Sequence, residues 1–110
     1  MIMNMTAKGK GYRYVVSQDN GETIGTRTSN RAYYGCVVVY RGGVPEPGYV
    51  VASYCARPDL LLKEARAIAA RYRRIKSYTT FPNATFSVYM VSMSGSRVEA
   101  EIHNDTMEAN

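Results

Sequence analysis

Apolar and polar residues follow two periods along this chain. Residues 11–18 read Gly-Tyr-Arg-Tyr-Val-Val-Ser-Gln, rich in aromatic and β-branched side chains, and predict a strand. Asp19-Asn20-Gly21-Glu22 predicts a tight hairpin, because Asn-Gly accepts the φ > 0 positions such a turn needs. Residues 23–28 form the returning strand, and Ser29-Asn30 bends the chain. Residues 32–41 are almost continuously apolar, the pattern of a central strand covered on both faces. Residues 42–48 hold two prolines and three glycines and predict a loop. Residues 49–56 return as a further strand, and a hairpin centred on Pro45 and Glu46 sets Cys36 opposite Cys55.

The period then changes. Arg57-Pro58-Asp59 marks a helix start, with Pro suited to the first turn and an early acid complementing the helix dipole. No Gly or Pro follows until past residue 76, so the helix is expected over residues 59–76. Leu61, Ala65, Ile68, Tyr72 and Ile75 fall on one stripe, flanked by Leu62 and Ala69. The opposite face collects Lys63, Arg66, Arg73 and Arg74, with Arg71 to one side. Residues 77–84 read as a connection. Residues 85–93 alternate, Phe86, Val88 and Met90 against Ser87 and Tyr89, and residues 94–96 predict a turn. Residues 97–103 alternate again, with Val98, Ala100 and Ile102 on one face, as in a half-buried strand.

The predicted order is β-β-β-β-α-β-β. Short connections imply a mostly antiparallel sheet of five to six strands, and one amphipathic helix packed on one face completes an α+β domain. Residues 1–110 form a single domain, with residues 1–10 and 104–110 expected as flexible ends; three Met among the first five residues fit a frayed tail. One helix covers six strands poorly, so a homodimer is an open expectation.

Composition adds charge polarity. The net charge is +5 over 110 residues. Residues 1–56 carry six basic and three acidic groups, residues 57–76 seven and two, and residues 77–110 one and four. A basic segment followed by an acidic tail favours polyanions or acidic protein faces as partners. The N-terminus has no long apolar run, so a cytoplasmic location is expected, with both Cys reduced, the Asn-X-Thr motifs unused and no membrane involved.

Candidate chemistry is sparse. Two Cys and one His fall short of a four-ligand metal site, so neither metal nor cofactor is expected. His103 fits a polar strand face, and no Ser-His-Asp or paired-carboxylate arrangement emerges. Binding chemistry is richer. Lys63, Arg66, Arg71, Arg73 and Arg74 make a positive strip of the kind that neutralises phosphate. Ten Tyr stand beside no Trp and two Phe. Tyrosines on strands, Tyr33 and Tyr89 among them, with Arg13, Arg31 and Arg41 nearby, have the composition of single-strand binders and of protein-interface hot spots. A charged solvated helix face and ordinary core filling account for the same residues without function.

Two stretches carry a family likeness. Arg27-Thr28-Ser29-Asn30-Arg31-Ala32-Tyr33 leads into Cys36-Val37-Val38-Val39, and Ser53-Tyr54-Cys55-Ala56-Arg57-Pro58-Asp59-Leu60 carries a strand into the helix. Over residues 27–70 the chain resembles short phage-encoded accessory proteins of unassigned function. In those proteins a His stands two positions after the Tyr of the first stretch, where this chain has Gly35. The resemblance implies an accessory protein that blocks a host enzyme or a bacterial anti-phage defence complex. The expected function is therefore non-enzymatic binding to a host or defence-system protein. Nucleic-acid binding through the basic helix and the Tyr/Arg-rich sheet is the alternative, and a small Tyr/Arg-dependent nuclease is the third reading.

Overall fold

The computed structural model describes residues 3–8, 12–74, 84–93 and 98–103. The described residues form seven strands and one α-helix, joined in the order β1 (Met3–Lys8), β2 (Arg13–Gln18), β3 (Thr23–Thr28), β4 (Gly35–Gly42), β5 (Gly48–Cys55), α1 (Leu61–Arg73), β6 (Thr85–Ser92) and β7 (Val98–His103). The fold is α+β with antiparallel pairing, as expected. The strands divide between two sheets, however, of order β1-β2-β3 and β5-β4-β6-β7. A single sheet of five to six strands is thereby corrected.

The first correction lies at the N-terminus. Residues 3–8, expected as a frayed end, are a strand paired antiparallel with β2, from Met3 opposite Gln18 to Lys8 opposite Arg13. Their alternation explains it: Met3 and Met5 are buried and Asn4 and Thr6 are not. Asn20 and Gly21 make the expected turn. The Glu22 amide donates to Asn20 Oδ1 at 2.9 Å, the Gly21 amide donates to the Gln18 carbonyl at 2.9 Å, and Gly21 takes φ 91°.

The second correction concerns coverage. In β4 every residue from Gly35 to Val39 is buried, as a doubly covered central strand requires. Val37 and Val39 pack with Phe86 and Val88 against Leu61, Ala65, Ile68 and Ala69 of α1. On the other face, Cys36, Val38 and Val91 pack against Met3, Met5, Tyr14 and Val16 of the first sheet. The molecule therefore has three layers: helix, four-stranded sheet, three-stranded sheet. The sheet face that the helix leaves is covered by β1–β3, so its tyrosines are not an open surface. Each fully buried Val, Leu or Phe contributes about 1.5–3 kcal/mol relative to exposure, which is why the chain folds its first three strands over that face.

Helix and hairpin differ from expectation in detail. Residues Pro58–Leu60 form a 3-10 turn before α1. Leu62, expected beside the buried stripe, is exposed, whereas Ala69 is buried and Tyr72 half-buried. Ile75 and Lys76, and the predicted connection at 77–83, lie outside the described residues, as do residues 94–97 and 104–110. In the β4–β5 hairpin, Arg41 opposes Gly48 and Cys36 opposes Tyr54, with a bulge between Val37 and Val38. Cys55 consequently pairs with Gly35, and the two sulfurs lie on opposite faces of the sheet. Both cysteines are free.

Gly35 has a packing reason. A Cβ there would lie 2.5 Å from the Val91 carbonyl oxygen and 3.3 Å from Ser92 Cα. The β4–β6 backbones meet at this point, and a side chain at position 35 does not fit this packing.

Candidate functional site

Helix α1 gathers the largest set of candidate residues. Ala, Leu and Arg favour the helix, and its apolar stripe sets which side faces the sheet. At 100° per residue, the buried positions centre opposite Lys63. Lys63, Arg66, Arg71, Arg73 and Arg74 are all exposed. Arg71 and Arg73 stand in the last turn, where the helix dipole favours cations. The helix has one acid, Glu64, and it is turned aside: Ser53 Oγ of β5 donates to its Oε1 at 3.1 Å. The ion pair among the described residues is Arg57–Asp59, at 2.6 Å on the surface. Five helix cations therefore face solvent without an ion-pair partner among the described residues. Leu62 is 41% exposed and Leu60 36%, and Leu62 lies one turn before Arg66 on the same flank. The face combines exposed leucine with arginine.

The remaining expected residues do not join this face. Arg13 is exposed on β2 and Arg31 is exposed in the segment between β3 and β4. Arg41 stands at the far end of β4 from Gly35, opposite Phe86 and on the same side as Val39. It is half-buried, and its Nε is buried without a hydrogen-bond partner among the described residues. Arg13, Arg31 and Arg41 thus occupy both ends of the molecule and do not form one set. Tyr89 is half-buried, 6.4 Å ring to ring from Tyr49, which lies 4.8 Å from Tyr40.

Tyr33 belongs to a second aromatic group that the sequence reading left incomplete. Its ring lies 5.2 Å from Tyr14 and 5.5 Å from Tyr54, and Tyr12 lies 5.7 Å from Tyr14. Arg27 of β3 places its guanidinium 5.6 Å from the Tyr33 centroid and 5.4 Å from that of Tyr54. The buried Tyr14 hydroxyl fixes the segment that carries Tyr33. It donates to the Arg31 carbonyl at 3.1 Å and accepts from the Tyr33 amide at 2.8 Å. Arg27 was missed because it sits in a polar strand, Thr-Ile-Gly-Thr-Arg-Thr, whose pattern does not signal aromatic neighbours.

The cysteines hold no reactive arrangement. Burial pushes the Cys36 thiol from 9.0 up to about 12, so it stays protonated and a poor nucleophile. Cys55 Sγ donates to the Arg57 carbonyl at 3.2 Å. Burial, followed by the neighbouring Cys36, also raises the Tyr54 phenol above its ordinary 10.0. Among the described residues no group of three His, Cys, Asp or Glu side chains is placed to hold a metal ion, and no helix is long and apolar enough to cross a membrane. The chain matches no protein-family model, no curated protein and no solved structure.

Proposed function

We propose that this chain is a small binding protein of the phage accessory kind that works by occupying a surface, with the outer face of α1 docking on an acidic patch of a host or defence-system protein. One observation carries the reading: four exposed cations stand on α1 and a fifth, Arg74, caps its C-terminus, while the helix's only acid is bound by Ser53. Such a field accelerates encounter with an acidic partner and fixes orientation. Exposed Leu62, one turn before Arg66, favours a protein over phosphate, because desolvated leucine and arginine side chains contribute at protein interfaces and exposed leucine adds little on a sugar–phosphate backbone.

The test is affinity capture from bacterial lysate at moderate salt, with and without nuclease, followed by mass spectrometry. A stoichiometric protein partner that survives nuclease is the expected result. Capture that disappears both with nuclease and with Arg66→Glu/Arg73→Glu transfers the helix to the nucleic-acid reading. Incubation of the purified chain with labelled RNA and DNA is expected to give no cleavage; cleavage products that co-purify with the folded protein would restore the nuclease reading.

A further inference from the structure

We propose a second binding site, separate from the helix face: the end of the molecule where β3 leaves the first sheet takes single-stranded nucleic acid, with a base stacked on Arg27. The site is built from aromatic rings and unpaired guanidinium groups. Tyr33 and Tyr54 lie under Arg27, at 5.6 and 5.4 Å from its guanidinium carbon, and hold that plane by cation–π attraction. Arg27 is exposed, so its guanidinium is accessible to a stacking partner from solvent. Tyr12, 41% exposed, continues the aromatic row through Tyr14.

Arg31 adds a second exposed cation at this end of the molecule. Tyr14 is the register partner of Arg27 and shares its face, whereas Arg13 and its partner Thr28 stand on the other face of the sheet and add charge only at a distance. Arg31 is exposed on a segment whose backbone the Tyr14 hydroxyl pins on both sides. None of Arg13, Arg27 and Arg31 has an ion-pair partner among the described residues. The acids of this sheet, Asp19 and Glu22, stand at the opposite turn, a strand length of about 17 Å away at ~3.4 Å per residue.

The chemistry selects a single strand. Unstacked bases lie on aromatic rings and guanidinium planes, and their phosphates meet flanking cations. A duplex keeps its base faces stacked internally and offers only phosphates to such a platform. An acidic peptide would meet the cations and leave the planar stack unused. Arg27 and Tyr12 belong to the first-sheet side of the molecule, and the rings under Arg27 come from the segment before β4 and from the face of β5 turned to that sheet, while the helix cations lie beyond the second sheet, so the two surfaces can be varied separately.

The experiment is fluorescence anisotropy of a labelled twelve-nucleotide oligo-U at low salt, read together with tyrosine fluorescence, which reports on ten Tyr without Trp interference. Saturable binding with quenching of tyrosine emission is expected. Arg27→Ala is expected to weaken binding about tenfold, within the range for loss of one base stack. Arg27→Lys keeps the charge but not the stacking plane and is expected to lose nearly as much; it also serves should Arg27→Ala fail to fold. Tyr12→Ala is expected to cost several-fold. Absence of binding overturns the site. So do an Arg27→Lys variant that binds like the parent, a duplex of equal length that binds as tightly, and an affinity that Arg66→Glu/Arg73→Glu abolishes while Arg27→Ala leaves it unchanged.

Discussion

Tyr14→Phe isolates a single oxygen that organises the segment between the two sheets. The ring is fully buried and makes the closest of the aromatic contacts in its group, to Tyr33 at 5.2 Å. Phenylalanine keeps that ring and its packing. The lost hydroxyl accepts from the Tyr33 amide at 2.8 Å and donates to the Arg31 carbonyl at 3.1 Å, both in part-buried surroundings. Arg31 is exposed, and its carbonyl can turn to water at small cost. The Tyr33 amide has no such recourse beneath the aromatic group, and an unsatisfied part-buried donor costs about 1–2 kcal/mol. Unfolding entropy scales at about 2.1 cal/mol/K per residue, so for a domain of this length each kcal/mol moves the midpoint by roughly 4 °C. Thermal unfolding followed by far-UV circular dichroism is therefore expected to show a midpoint lower by about 4–9 °C. Urea titration is expected to show a lower midpoint concentration with the slope unchanged. A Tyr14→Phe midpoint within 1 °C of the parent would refute the reasoning, because the hydroxyl would then hold nothing that water does not replace.

Other consequences follow from the same geometry. Gly35→Ala drives a Cβ against the Val91 carbonyl at 2.5 Å and is expected to cost about 3 kcal/mol, the upper end for overpacking, in a urea titration; a loss under 1 kcal/mol would mean that the two backbones separate easily. Gly21→Ala, at φ 91°, is expected to cost about 1 kcal/mol. Cys36 holds its proton more tightly when folded, up to about 12 against 9.0, so its contribution to stability is complete below pH 9 and declines as the pH rises from 9 towards 12. At 1.36 kcal/mol per pH unit the loss near pH 10.5 is about 2 kcal/mol, and the raised Tyr54 phenol adds in the same direction above pH 10. Cys36→Ala is expected to flatten most of that decline, and an equally steep decline in the variant would assign it elsewhere. In the folded protein a thiol reagent is expected to modify Cys55 promptly and Cys36 only on unfolding; equal rates would contradict the burial of Cys36.

The elements that local pattern controls were legible, and the arrangements that depend on distant partners were not. The helix followed from its 3.6-residue stripe, and Val37 and Val39 declared a doubly covered strand by being apolar without interruption. Met3, Met5 and Ala7 alternate with polar residues as clearly as Val88 does in β6, yet a terminal segment with an unusual run of Met reads as a tail until β2 is there to pair with it. Sheet count was hidden for the same reason. Nothing within residues 13–28 states that Tyr14 and Val16 bury themselves against Cys36 and Val38. The cysteine pairing failed by one residue. The hairpin centres between Val44 and Pro45, one position earlier than expected, and a bulge restores only half of that shift. A single step reverses which face a strand residue occupies. The helix cations were readable because exposure follows from the stripe; the Arg27 platform was not, because its two rings come from a loop and from another sheet.

Affinity capture with two baits, the parent chain and Arg66→Glu/Arg73→Glu, tests the central claim most directly. Both baits are expected to be folded, since the two positions are exposed and the change in the last turn costs only about 0.3–1 kcal/mol. The basic helix face predicts a nuclease-resistant protein partner on the parent bait and its loss from the charge-reversed one. Equal recovery of that partner on both baits would contradict the account and remove the helix from the interface.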